Sequence, residues 1–414
     1  MKRNNLIVGG AGELFPGSQT VIYVGQETGG YGVTARINGV NAMRTLSETF
    51  TGAEEREPRP DRSGSADHLE RYVGRKSAEF EITKLILPSG SATTEPDDTH
   101  LWENLFGHVS VGATSIEYIQ ATAHTASLSI RRGIRTGGGG GLAELQEHVR
   151  GAIVNGAEIA WGANGNNGLG QVTFRGQAKD YGYTGNTSVG TGYTSIATGA
   201  GSFRVDNAKE LTVGSVFQLV DNSNFASTNT GGGSGIAVDT VNYTSNVISY
   251  SETLSATTSS GKVVAPYNPT ESTAGSPLHA RIGFLSLNGN TSKIDHLGGT
   301  VSIEDNRALL NEEVGYDSAS RVMRNDRRNV SFTLDFILKK DEVTKLLGNM
   351  VTNTSADIEV NIGDQSNKTM KIEMKKAEWD FTSLDVPEQE AVRISMSGRA
   401  YGTNGNDSLK VRFM

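Results

Sequence analysis

The chain has no cysteine among its 414 residues, which excludes disulfides, thiolate metal sites and cysteine nucleophiles together and fits a reducing compartment. Long apolar runs are missing as well: no stretch nears the roughly 20 apolar residues of a membrane-spanning helix. The opening Met1-Lys2-Arg3-Asn4-Asn5-Leu6-Ile7-Val8-Gly9 offers only Leu6, Ile7 and Val8 before glycine, too little for a signal-peptide core. The expectation is a protein made and kept in the cytoplasm, with no membrane anchor. An excess of positive charge is also lacking. The net charge is −8 and the pI near 5.5, which argues against a surface that grips nucleic acid, because duplex binding needs clustered Lys and Arg. Proline is scarce, 9 residues against 51 glycines, so the expected loops are short and pinned by glycine.

Catalytic patterns are absent too. His68, His100, His108, His124, His148, His279 and His296 show none of the i, i+4 pairing of a zinc hydrolase, and each reads as a satisfied or exposed histidine. The run Gly137 to Gly141 is followed by Leu142 and Ala143 instead of Lys-Ser/Thr, so it reads as a flexible loop and not a phosphate cradle. No Gly-x-Ser-x-Gly elbow occurs, and no carboxylate pair sits in an identifiable apolar pocket. Neither catalytic residues nor a cofactor nor a metal is expected.

What is present is self-similarity. Gly156-Ala157-Glu158-Ile159-Ala160-Trp161 matches Lys376-Ala377-Glu378-Trp379-Asp380-Phe381. The match continues from Val172-Thr173-Phe174 to Val392-Arg393-Ile394, and from Tyr181-Gly182-Tyr183 to Tyr401-Gly402-Thr403, at a constant offset of 220 residues. Upstream, Thr45 to Phe50 and Gly299 to Asn306 are short alternating runs. Each is followed by a charged stretch and then an alternating strand, Lys76 to Leu87 and Ser331 to Leu338. Ala78, Phe80 and Ile82 share one face of the first, and Phe332, Leu334 and Phe336 share one face of the second. Such repetition predicts a duplicated unit. The expected division is 1–190 for the first β unit, 191–269 for an inserted small β domain, and 270–414 for the second β unit. The insert is poor in charge, with short strands at Phe203–Val205, Val216–Val220, Ile236–Val241, Val247–Tyr250 and Lys262–Pro266. Short helices are expected at His100–Phe106, capped by Asp97-Asp98-Thr99, and at Asp341–Leu347; a third is possible after Gly141. Asn164 to Gly168 reads as a hairpin turn.

The charged stretches recur in both halves, and each exceeds the ~12–15 residues of an ordinary loop. Glu54, Glu55, Arg56, Arg59, Arg62 and Arg71 mark the first; Glu312, Glu313, Arg321, Arg324, Arg327 and Arg328 mark the second. Arginine outnumbers lysine in them, which suits planar pairing with carboxylates on another subunit. They read as assembly arms, too polar to fold against their own domain and ordered only when neighbours meet.

The order of strand, long charged loop, alternating strand, short helix and closing hairpin resembles that of tail tube (major tail) proteins of long-tailed bacteriophages. The ending Gly398-Arg399-Ala400-Tyr401-Gly402 before Leu409-Lys410-Val411-Arg412-Phe413 is also similar. The resemblance covers both outer units. It implies a mainly β protein: two β-sandwich or partly closed barrel domains, each with a short flanking helix, and a small barrel-like insert on the outer surface. It further implies a structural virion protein, made in the host bacterial cytoplasm and residing in the virion tail. Its partners would be further copies of itself in stacked rings, along with the tape measure, tail terminator and baseplate proteins. Double-stranded DNA would pass through the channel without specific binding. Two domains per chain imply three chains per ring with pseudo-sixfold symmetry. A receptor- or carbohydrate-binding tail or baseplate component is the alternative, suggested by the insert and its Thr/Asn/Gly-rich loops.

Overall fold

The computed structural model describes residues 20–58, 71–91, 93–122, 126–135, 143–162, 168–190, 195–196, 201–221, 227–229, 235–252, 254, 258–259, 262–267, 269, 275–280, 283–288, 294, 296–310, 313–314, 316–337, 339, 351–352, 354–363, 368–386 and 391–414. Among the described residues strand dominates, 61% against 6% helix, so the fold is mainly β as the alternating patterns require.

The first part comprises β1 (Thr20–Gln26), β2 (Ala42–Met43), β3 (Ser47–Pro58), β4 (Arg71–Leu85) and α1 (Thr99–Phe106). It continues with β5 (Gly107–Val111), β6 (Ile116–Gln120), β7 (Leu128–Arg135), β8 (Ala143–Gly162), β9 (Gln171–Ala178) and β10 (Asp180–Thr184). The middle of the chain holds β11 (Thr187–Ser188), β12 (Ser195–Ile196), β13 (Gly201–Arg204), β14 (Val216–Asp221) and β15 (Ser227–Asn229). There follow β16 (Ile236–Ala237), β17 (Thr240–Asn242), β18 (Val247–Tyr250), β19 (Thr258–Ser259) and β20 (Lys262–Pro266). The last part has β21 (Gly283–Leu287), β22 (His296–Glu304), β23 (Arg307–Leu310), β24 (Arg321–Arg324) and β25 (Asn329–Ile337). It ends with β26 (Ala356–Ile362), β27 (Met370–Asp385), β28 (Arg393–Arg399) and β29 (Leu409–Phe413).

Three antiparallel sheets build the body. One runs β2–β1–β7–β8–β10. The second runs β3–β4–β9–β8–β22–β25–β28–β27. The third runs β21–β26–β27–β29–β6–β5. None of the described sheets closes into a barrel. β8 and β27 each serve two sheets, so each must bend. The bend in β8 has Gly151 at φ 61, and the bend in β27 has Lys376 at φ 41. At both bends a carboxylate takes the displaced amide: Gly151 N donates to Glu27 Oε1 at 2.8 Å and Lys376 N to Asp357 Oδ1 at 3.1 Å. A bend of this kind frees a backbone donor, and these carboxylates satisfy it.

Side chains from all three sheets and α1 meet in one apolar core. Trp102 of α1 lies at its centre, 4.9 Å from the Phe174 ring and 6.4 Å from Phe413, near the end of the chain. The middle segment has a core of its own around Phe203, Phe217, Leu219, Ile248 and Tyr250. A second small cluster, Tyr23, Ile37, Ala42, Val216 and Tyr267, seals it to the first sheet.

Two local expectations are corrected. Asp98 stands at the N-cap of α1 without capping it; its carboxylate turns to Lys84 instead. Where a short helix was possible after the glycine run, Ala143 onward is β8, whose alternating apolar residues fit a strand. The run Gly137 to Gly141, the turn Asn164 to Asn167 and the helix Asp341 to Leu347 lie outside the described residues.

Candidate assembly surface

The second sheet is buried on one face only. Phe80, Ile82, Phe174, Ile159, Val301, Phe332, Leu334 and Met396 point into the core. The opposite face carries Thr49, Thr51, Glu79, Glu81, Gln177, Glu158, Thr300, Ser302, Thr333, Asp335, Ser395 and Ser397, with Arg175, Arg393 and Arg399 as its guanidinium groups. Shallow grooves run along it, one of them about 570 Å³. Arg175 bonds Glu81 at 2.7 Å, and that bond holds its guanidinium above the ordinary arginine range. Carboxylates outnumber cations on this face, so its field disfavours anions.

The strand order is the same in each half of this sheet. Cross-strand contacts match as well. Phe80 lies over Gly176, where a Cβ would sit 2.4 Å from the ring; Phe332 lies over Gly398, at 2.7 Å. Thr83 bonds Thr173 at 3.0 Å, and Ser395 donates to Asp335 in the corresponding place. These contacts pair Thr173 with Ser395 and Gly176 with Gly398, so β9 and β28 correspond two residues, and β8 and β27 about five residues, out of step with the sequence match, which corrects the expected constant offset. Strand pairing sets this register, and the small polar residues there leave it open in sequence.

The halves meet at β8 and β22, where Glu158 faces Ser302 and Ile159 faces Val301. Among the described residues the outer edges of β3 and of the Glu378–Asp385 part of β27 have no strand partner. These are the counterparts of β22 and β8. Ser383 faces Ser395 as Glu158 faces Thr173, and Thr51 faces Glu79 as Ser302 faces Ser331. One edge therefore has the form of the internal joint's left side and the other that of its right.

The charged arms are more ordered than their composition implies. The first continues the ladder: β3 carries Glu54, Glu55 and Arg56 out to Pro58, which pairs with Arg71 at the start of β4. Arg59 and Arg62 lie outside the described residues, as does Glu312. The second arm folds back on its own chain, correcting the expectation that it could not. Asp305, fully buried, is met by Arg307 Nε at 2.7 Å, Arg324 Nη2 at 2.9 Å and Arg328 Nε at 2.8 Å. Arg307 also donates to Asn104 O at 2.8 Å and to Val154 O. Burial pulls the Arg307 guanidinium down to about 10, with Asp305 opposing and the neighbouring arginines adding to the fall; Arg328 is lowered for the same reason. Arg321 bonds Glu313 Oε1 at 2.6 Å near the surface, while Arg327 is exposed. The arm also touches the other half: Lys76 N donates to Asp317 O at 2.8 Å and Arg75 Nη2 to Glu313 O at 2.9 Å.

Sequence reasoning passed over Asp305, Lys84 and Glu27; Lys84 and Glu27 are lone charges in or beside an alternating strand, and only the fold supplies their partners. Among the described residues no group of three or more His, Cys, Asp or Glu could hold a metal ion, and no helix is long and apolar enough to cross a membrane. No protein-family model matches the chain, and no match to it was found among curated proteins.

Proposed function

We propose that the chain is a tail tube protein of a long-tailed bacteriophage: two copies of one β unit, with an insert, that joins head to tail into closed rings around a channel for DNA. The carrying observation is the second sheet. Its internal joint, β8 against β22, has free counterparts at both ends, β27 and β3. A heterologous contact that repeats the internal one places like on like, and it closes a ring when the rotation divides a full turn. Six units would close with three chains. Unpaired sheet edges are templates for association, and mutual pairing removes the exposed donors and acceptors.

In that ring the polar face of the sheet lines the channel. Glu79, Glu81, Glu158 and Asp335 would repel phosphate, which suits a wall past which DNA must slide. The insert, bound to the opposite side of the first half through Tyr23 and Tyr267, lies outside.

The lack of cysteine makes the test clean. Thr51→Cys and Ser383→Cys occupy the places that face each other if the joint repeats. On oxidation the double variant is expected to give covalent oligomers ending at three chains, with rings in negative stain. Monomer only at high concentration, or closed rings of six full-length chains, would overturn the reading.

A further inference from the structure

The most unusual polar group in the core is Lys84. It points inward from β4 between Ile82 and Ile86, and its side chain has no exposure. Two carboxylates meet its Nζ from the segment entering α1: Asp97 Oδ1, and Asp98 Oδ2 at 3.2 Å. Asp98 is itself 2% exposed, and its Oδ1 has no hydrogen-bond partner. The other oxygen of Asp97, Oδ2, accepts the backbone N–H of Arg44 at 3.3 Å. Tyr118, bonded to Thr99 at 2.9 Å, and Trp102 help wall the region from solvent.

A buried ammonium facing one buried and one slightly exposed carboxylate is a poor ion pair, since desolvation is costly for each ion and one charge remains unmatched. Burial, only partly offset by Lys84, raises the Asp98 carboxyl above its ordinary value, so it holds a proton readily. The group therefore has an amine, a carboxyl to receive it, a second carboxyl to carry protons and a backbone N–H to steady the developing oxyanion.

We propose that Lys84 and Asp97 condense autocatalytically to an isopeptide bond, with Asp98 as proton carrier. Lys84 passes a proton to Asp98, which relays it to the Asp97 carboxylate. The neutral Nζ then attacks Asp97 Cγ, forming the C–N bond. A Cγ–O bond breaks, and that oxygen leaves as water, taking up the proton that the amine nitrogen loses through Asp98. One ammonium and one carboxylate become one neutral amide and one water; Asp98 ends as it began. Fixed proximity replaces the entropy cost of bringing the groups together, and the largely buried site limits the water available for the reverse hydrolysis. The bond would tie β4 to the entry of α1.

Intact-mass spectrometry of the full, folded chain tests this directly. The expected mass is lower than the sequence mass by one water, and proteolysis yields a branched peptide joining Lys84 to Asp97. Lys84→Met and Asp98→Asn, checked for folding by circular dichroism, are expected to show the full sequence mass. A wild-type chain at full mass overturns the proposal, as does a water loss mapped to any other residue pair. A bond that still forms in Asp98→Asn removes Asp98 from the mechanism.

Discussion

Asp305 shows how much rests on single residues. It is one carboxylate serving Arg307, Arg324 and Arg328. Asp305→Asn leaves buried guanidinium groups without a counter-charge, and removing one partner of a buried pair costs about 3–5 kcal/mol; the midpoint of urea unfolding is expected to fall accordingly. Lys376 sits at φ 41, where a Cβ crowds the following carbonyl. Lys376→Gly is expected to stabilise the chain by about 1 kcal/mol in the same assay, because Lys376 is exposed and its amide keeps Asp357. Gly176→Ala and Gly398→Ala should each cost about 1–3 kcal/mol, since the new methyl meets a carbonyl oxygen and a Phe ring. Glycine at these two sites was visible in the sequence; the ring above it was not, because that contact joins neighbouring strands far apart in the chain.

At the scale of elements, the bend in β27 makes stability depend on pH. Burial tends to raise Asp357, but bonds from Lys375 Nζ and Lys376 N and the charges of both lysines outweigh it, so its carboxyl lies below the ordinary value. A depressed acid contributes stability above its unfolded pKa and loses it as pH falls through the folded one. Asp357→Asn is therefore expected to unfold at a lower temperature than the parent at neutral pH, with the gap closing as pH falls through the acid range. The second arm has a comparable division. Arg321→Ala with Arg327→Ala should leave monomer stability nearly unchanged, because exposed pairs contribute ~0.2–1 kcal/mol. Arg324→Ala and Arg328→Ala should lower it. If the arms hold rings together, the first pair also shortens tubes and makes what stacking remains less dependent on salt, read by light scattering. The alternating strands were legible from side-chain period; the bends were not, since a Lys at positive φ carries no signal. Removing the insert would uncover Tyr23, Ile37 and Ala42, which pack against its Val216 and Tyr267.

For the whole molecule, the sequence by itself determined the strand content and the repeated order of elements, because period-two alternation and recurrence are local properties readable without partners. It also set the polar, acid-rich balance that disfavours nucleic-acid binding. Only the tertiary structure decided how the halves join. Register between β8 and β22 and the sharing of β8 and β27 between sheets depend on hydrogen bonds between distant parts of the chain, and the gathering of three arginines on Asp305 depends on how the second arm folds back. The same holds for the meeting of Lys84 with Asp97 and Asp98: sequence places an Asp pair before a helix, where capping is the local solution, but the closed core puts a lysine opposite. A buried charge has no free choice of partner, and the fold alone decides which one it meets.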